Sequence, residues 1–556
     1  MSSETEPSAA PAGLGRASAM LASGTIVSRI LGFIRVVVLA AAIGQASSAA
    51  ADAFGVANQL PNSIYALVAG GVLSAVLVPQ IVRAGLHADG GQLFINRIIT
   101  FGVVIFLAVT LVATLAAPAL ISLYAQQSID GGRGFSPAAL SLATAFAYWC
   151  LPQIFFYALY SLLSEVLNAR NMFGPFTWAP VLNNVVAIGG LVAFMTLFGG
   201  AESNSSPSGW GIDRILVLAG TATLGIAAQA LVLFLFWRRA GLRFRPEFRW
   251  HGVGLGSAGR AAGWLFGMIL VMQVAGLVST RVATLGSAEG ASVATLQASW
   301  LVFMLPHSVV AVSIATAYFT RMSGHAARGD LVAVREDLSS SLRGIGLLIV
   351  FSTIALAVVA YPFARFFEDK YDNIVATGNV ILAFLPGLVL YSMLFVIQRV
   401  FYALDETRTA FFMQCAQSGL YVVGALACTA LPAQWIGVGL ALVTVVSGSA
   451  QAIIAIVVVR RRLGGMDGAL ILKRHLQYFG LALLAGAAGL GVLLALGGLA
   501  PDSFVLAGRL QALASIALVG SAMAAVYTAL LLLMRNPELT SVVGTVLSRL
   551  RPGSSE

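Results

Sequence analysis

Two arginines, Arg29 and Arg35, stand inside the first long apolar run of this 556-residue chain, SGTIVSRILGFIRVVVLAAAIG. A charge within the bilayer interior is costly, so it faces a protein-lined, water-filled cavity and marks the route of something polar. A guanidinium stays protonated, and its planar fork matches phosphate oxygens. On an α-helix the two residues differ by about 9 Å of rise and about 120° of rotation. They line a wide cavity rather than a narrow stripe. A third cation, Arg281, lies in LVMQVAGLVSTRVATLG of the seventh run. Snorkelling to the cytoplasmic interface is the competing reading for Arg29, and an outer interfacial seat is the competing reading for Arg281. Cations in the middle of a chain that crosses the membrane many times point to a carrier of an anionic substrate.

The elements that must position them follow from composition. The chain is 59% hydrophobic and 10% charged, which identifies an all-α integral membrane protein. A helix needs about 20 apolar residues to cross a core of about 30 Å. Candidate spans run over 18–44, 52–83, 95–124, 137–168, 175–199, 213–238, 260–286, 292–320, 343–365, 376–403, 409–431, 435–459, 475–499 and 507–534, about fourteen in all. The net charge of +10 does not indicate nucleic acid, because the arginines cluster in alternate loops. Arg238, Arg239, Arg243, Arg245 and Arg249 share a side with Arg321, Arg328 and Arg335, with Arg460, Arg461 and Arg462, and with the C-terminal Arg549 and Arg551. The intervening QASSAA, GGAESNSSPSGWG, GSAEGAS, LPAQ and GGLAPDS carry no Lys or Arg, the main exceptions on that side being Arg133 and Lys370. This pattern places both termini in the cytoplasm. Residues 1–17 read as a short disordered cytoplasmic tail and 536–556 as a cytoplasmic tail.

An internal repeat is visible. Leu60-Pro61-Asn62-Ser63 of the second span recurs as Leu305-Pro306-His307-Ser308 of the eighth. Val166-Leu167-Asn168-Ala169-Arg170 of the fourth corresponds to Val400-Phe401-Tyr402-Ala403-Leu404 of the tenth. A shift of six helices preserves orientation, so the chain reads as two parallel-repeat six-helix lobes, 18–242 and 259–462, plus two C-terminal helices within 475–535. Pro61 and Pro306 kink their helices, and Gly70-Gly71 adds flexibility beside the first kink. Asp52 opens the second span, where an acid caps a helix N-terminus and is also placed to pair with an arginine. Cys150, Cys415 and Cys428 and the five histidines show no metal-ligand or disulfide spacing, so no metal is expected.

No zinc-protease, nucleophile-elbow or Walker A pattern is present, so an enzyme is not expected. No cofactor is expected either, and transport would be driven by membrane potential or an ion gradient. The stretches SRILGFIRVVVLAAAIG, ADAFGVANQLPNSIYALVAGGVLSAVLVPQIVRAG, LNARNMFGPFTWAPVLNN and RVFYALDETRTA resemble the MurJ/MviN family of lipid II flippases, within the MATE-like exporter superfamily. The resemblance implies a bacterial cytoplasmic-membrane flippase whose cargo is lipid II, an undecaprenyl pyrophosphate bearing a sugar–peptide headgroup. It implies alternating access through a cationic central cavity, with the last two helices forming a groove for the lipid tail. Carried over by position, Ser28, Arg29 and Arg35 match the family's first-helix residues, Asp52 its second-helix acid and Asn62 its second-helix asparagine. The sequence departs where the best-studied branch has a basic pair, here Tyr65 and Ala66, and an arginine before the eighth-span Leu-Pro, here Leu301. Arg281 is placed to substitute for that lost charge. The acids that coordinate sodium in some members are absent from the seventh and eleventh spans. Competing readings are a flippase for another polyprenyl-linked polysaccharide, a MATE-type exporter, or a non-transporting scaffold that recruits cell-wall synthesis proteins. A cation exporter would favour an acidic cavity, and the short tails disfavour a scaffold.

Overall fold

The computed structural model describes residues 12–69, 91–129, 132–249, 259–404 and 406–540. Hydrocarbon offers a peptide group no partner except another peptide group, so the apolar runs fold as helices. They are α1 (Ala12–Ile43), α2 (Ala49–Ala69), α3 (Gln92–Leu115), α4 (Pro137–Ala169), α5 (Phe173–Phe198), α6 (Ile212–Phe236) and α7 (Gly259–Ala283). They continue as α8 (Val293–Ala327), α9 (Leu331–Val358), α10 (Tyr371–Ala403), α11 (Thr407–Ala427), α12 (Ile436–Arg462), α13 (Gly468–Ala495) and α14 (Arg509–Leu533). Thirteen helices among the described residues are long and apolar enough to cross a membrane, one overlapping each expected span except the second. For that span α2 is the described part, and its Gly70-Gly71 lies outside the described residues.

At the N-terminal end the expectation of disorder is corrected. Helix α1 begins at Ala12, inside the stretch read as a tail; its start, AGLGRASAML, is rich in good helix formers. Beyond α14, Asn536 is buried and Glu538 takes ion pairs from Arg343 of α9 at 3.0 Å and Arg474 of α13 at 3.7 Å. Residues 536–538 are therefore packed.

The repeat shows in the helix irregularities. Helix α4 is interrupted at Leu151-Pro152, between Pro137–Cys150 and Gln153–Ala169, and α10 tightens to a 3₁₀ turn at Leu385–Gly387. Leu385-Pro386 follows Leu151-Pro152 by 234 residues, the offset already read from the ends of these two helices. In α4 the break frees the Trp149 carbonyl, which accepts the Thr223 hydroxyl of α6 at 2.7 Å. Gln153 completes this joint by donating to Thr223 Oγ1 at 3.0 Å and to Asn58 Oδ1 of α2 at 3.2 Å. Pro306 is followed directly by a π turn, His307–Ala311, and α6 carries another at Leu216–Gly220. Such turns release local strain and recur at functional places. Helix α2, by contrast, runs continuously through Pro61.

Two compact units form. The first comprises the described residues of Met1–Ile43, Ala53–Leu123 and Pro137–Ile269; the second those of Gly44–Asp52, Tyr124–Ser136 and Leu270–Glu556. In the first, Ile95, Ile99, Leu162, Leu163, Val166 and Leu233 form a buried cluster joining α3, α4 and α6. Helix α1 lies along α5, and a side chain at Gly24 would meet Thr177 Cγ2 at 2.6 Å. In the second, α9 packs on α13, α13 on α14, and α11 on α12. Gln414 and Gln417 of α11 join Ser447 and Gln451 of α12 in a polar network, with Gln451 Nε2 donating to Gln414 Oε1 at 3.2 Å and Gln417 Nε2 to Ser447 at 3.2 Å. Interhelical bonds of this kind hold membrane helices together where burial of apolar surface does not.

Because α1 carries the arginines, its seat on α5 sets their position. Gly24→Val forces the two helices apart, an overpacking cost of about 1–3 kcal/mol, and lowers the melting temperature of the purified protein. Gly189→Ala on α5, where nothing lies within 4 Å, does not lower the melting temperature, since alanine favours the helix over glycine.

Candidate functional site

In the first unit the candidate residues are built on α1 and α2. Ile26, Ile30 and Ile34 form the exposed apolar stripe of α1. On the other side Asn184 of α5 donates Nδ2 to the Ser28 carbonyl at 2.9 Å and approaches Ser28 Oγ at 3.4 Å. Ser28 is thus a helix–helix contact that fixes the rotation of α1. The half-buried Arg29 points Nη1 into a place shut from solvent, where it has no hydrogen-bond partner among the described residues. Arg35, also half-buried, is felt electrostatically by Tyr157 of α4. Neither arginine has a carboxylate within ion-pair distance among the described residues. Asn62 is exposed on α2, next to the buried Pro61. One turn further Tyr65 stacks obliquely on Tyr157 at 6.0 Å and Phe106 at 6.2 Å. Ser161 hydrogen-bonds to Tyr65, and Glu165 acts on it electrostatically. Arg35, Tyr157, Tyr65, Ser161 and Glu165 therefore form a polar track inside a membrane-spanning unit.

The second unit holds the other candidates. The buried Asp52 accepts the Ser287 hydroxyl at 2.7 Å and the Ala294 amide at 3.0 Å. It caps a helix, as its type suggests, but the helix is α8 and not its own. Ser48 supplies the cap for α2, its hydroxyl accepting the Ala51 amide at 3.2 Å, which leaves Asp52 for the orphan amides of α8. Its partners are a hydroxyl and an amide rather than an arginine. Arg281 lies in the last turn of α7. With Arg133, Gln126, Leu285, Leu426 and Thr429 it lines a pocket of about 410 Å³. Arg133 is fixed there by donating Nη1 to the Leu431 carbonyl at 2.7 Å and the Thr429 carbonyl at 3.2 Å. After Pro306, the buried His307 shares a hydrogen bond with Ser392 of α10 at 3.1 Å.

Two charged groups within the spans escaped the sequence reading. Glu165 falls in the fourth span. Arg399 falls in the tenth, where its guanidinium rests over Phe395 at 4.6 Å, Phe319 at 5.7 Å and Tyr402 at 5.9 Å. No carboxylate pairs with Arg399 among the described residues. Listing every charge inside a predicted span, rather than only those far from its ends, would have found both. No three His, Cys, Asp or Glu side chains converge as a metal site among the described residues, and the three cysteines are unpaired.

Comparison with known proteins gives one family. Residues 39–507 match the model for "Lipid II flippase MurJ". A probable lipid II flippase MurJ from Haemophilus influenzae is 27% identical over 411 residues, covering 69% of this chain and 75% of that one. Its counterpart from Rhizobium meliloti is 25% identical over 404 residues, covering 70% and 71%. In fold, the chain is similar to a lipid II flippase MurJ in an inward closed conformation, with a TM-score of 0.69 at 19% identity over 93% of this chain and 99% of that one. An inward-facing multidrug resistance MATE transporter of the MOP superfamily follows at 0.60 and 16%, over 80% and 96%. With the family model spanning most of its length, the chain belongs to the lipid II flippase MurJ family.

Proposed function

We propose that this protein moves lipid II from the cytoplasmic to the outer leaflet of the bacterial cytoplasmic membrane. The observation that carries the reading is the pair Arg29 and Arg35, half-buried in a membrane-spanning helix without carboxylate partners among the described residues. A cation already neutralised by a carboxylate has little to offer a pyrophosphate; these two remain available to it. Tyr65 and Tyr157 add hydroxyls and ring faces suited to a sugar headgroup. Transport proceeds by alternating access without a catalytic step or cofactor, driven by membrane potential or an ion gradient. Both termini lie in the cytoplasm by the distribution of arginines. Lipid II and the surrounding lipids are the partners, and α13 and α14 offer the lipid-facing surface for the tail.

Removing one charge-assisted contact costs about 1.5–3 kcal/mol, roughly a tenfold to hundredfold weaker hold on pyrophosphate. At matched membrane expression in a flippase-depleted bacterium, wild type restores lipid II at the outer leaflet, whereas Arg29→Ala and Arg35→Ala do not. Arg35→Lys recovers little, since an ammonium does not reproduce the bidentate fork. A well-expressed wild type that leaves lipid II inside shows that the cargo is another polyprenyl-linked glycan; full rescue by both alanine variants removes the arginines from the site.

Arg281 and Arg133 line one pocket at the end of α7, which fits the release of an anionic headgroup better than its first capture. Arg281→Ala therefore slows appearance of lipid II outside while leaving its binding to the purified protein unchanged. A loss of binding equal to that of Arg35→Ala would place Arg281 in the capture site.

A further inference from the structure

The segment Gly44–Asp52 joins α1 to α2 yet belongs to the second unit. Polar contacts hold it there. Gln45 Nε2 donates to the Ala294 carbonyl at 2.7 Å, and the Ser47 amide donates to the Gly290 carbonyl at 3.0 Å. Asn373 Nδ2 donates to the Ala46 carbonyl at 3.1 Å, and the Ala46 amide donates to Glu368 Oε1 at 2.7 Å. Asp52 closes the far end on Ser287 and Ala294. Most of these partners are neutral groups whose pairing is indifferent to conditions.

Two carboxyls differ from them, Asp52 within the segment and Glu368, which faces the segment from outside it. Glu368 is 3% exposed, and the oxygen that accepts Ala46 also accepts the Thr377 hydroxyl at 3.0 Å. Among the described residues no Lys or Arg lies within ion-pair distance of its carboxylate. Arg365, three residues before it, spends its guanidinium on the main-chain oxygen of Glu368, on Asp369 and on the Leu506 carbonyl. Arg509 of α14 reaches Asp369 and the Phe366 carbonyl. Asp369 adds negative charge beside Glu368. Tyr361 is bonded to Asn379, and Tyr371 to the Leu499 carbonyl. Lys370 and Asp372 follow in the chain, and Asp52 is the one acid of the docked segment. A covered carboxylate without a counter-charge favours its neutral form. The Asn373 side chain also hydrogen-bonds to the Glu368 carboxyl; once protonated, Glu368 still accepts Ala46 and Thr377 on Oε1.

We propose that Glu368 is a proton-sensitive latch on the Gly44–Asp52 segment, holding it when neutral and loosening it when ionised. Burial pushes the covered Glu368 carboxyl up to about 7 from an ordinary value of 4.5, and uncovering returns it toward that value. The covered pKa is the higher of the two, so the stabilisation is full below the ordinary value and is lost as pH rises to the covered one. Since the segment runs directly into α1 and α2, its release frees the adjoining ends of the helices that carry Arg29, Arg35 and Asn62. The consequence for export rests on the flippase reading; the latch does not.

The test is hydrogen exchange of the full-length protein in lipid nanodiscs at pH 5.5 and 7.5, corrected for the intrinsic rate. Peptides covering residues 44–52 should be protected roughly twentyfold more at pH 5.5, while an α13 peptide is unchanged. Glu368→Gln, a neutral near-isostere, should lose most of this pH dependence, the remainder belonging to the buried Asp52. Equal protection of the wild type at the two pH values overturns the proposal, and that arm requires no variant; so does a pH dependence in Glu368→Gln as large as that of the wild type. If the protection pattern holds but the protein moves no lipid II, the flippase reading falls and the latch stands.

Discussion

A guanidinium inside a hydrocarbon layer must be compensated, and how it is compensated decides what the protein can do. Three arginines of α9 and α12 are paired with carboxylates: Arg335 with Asp467 at 2.6 Å, Arg462 with Glu406 at 3.0 Å, Arg343 with Glu538 at 3.0 Å. These contacts tie loop ends and helix ends together. Arg29, Arg35 and Arg399 follow another rule. They are held by packing, by aromatic faces and by polar hydroxyls, with no carboxylate among the described residues to quench them. A charge kept in that condition gains further stabilisation from an arriving anion, which is what the proposed cargo site requires.

Supporting such charges demands accurate backbone placement from helices that slide easily against one another in lipid. The structure supplies it with small residues and hydrogen bonds. Gly24 lets α1 approach α5, and Asn184 grips the Ser28 carbonyl, which fixes the rotation of α1 and therefore the directions of Arg29 and Arg35. In the second unit, the amide and hydroxyl network of Gln414, Gln417, Ser447 and Gln451 does the same for α11 and α12. Asp52 and Glu368 work at the chain crossing, each receiving main-chain amides that would otherwise be buried without a partner.

Much of this was legible in the sequence because a membrane imposes strong local rules. Span lengths follow from bilayer thickness, and the 234-residue offset between the ends of the fourth and tenth spans recurs between the break in α4 and the 3₁₀ turn in α10. Arg29 and Arg35 were visible because charge is rare in such runs. What sequence could not supply was the identity of partners distant along the chain. Asp52 reads locally as a cap for α2; only tertiary structure shows Ser48 taking that role and Asp52 crossing to α8, 242 residues away. Ser28 reads as a cargo ligand by position; the bond from Asn184 to its carbonyl, which seats α1 on α5, is visible only in the fold. The lobe boundaries drawn at loops also differ from the compact units, because Gly44–Asp52 and Tyr124–Ser136 are sequence of the first half packed into the second unit.

The proline break in α4 bears on how the chain is put together in the membrane. Pro137–Cys150 has 14 residues, about 21 Å of helix, too short to cross the hydrocarbon alone. It must enter with Gln153–Ala169 as one hairpin-free segment whose Trp149 carbonyl lacks its intrahelical donor. The group that satisfies it, the Thr223 hydroxyl, is synthesised 74 residues later. Insertion of α4 is therefore completed only when α6 follows it into the bilayer, so that the order of synthesis is written into a single hydrogen bond.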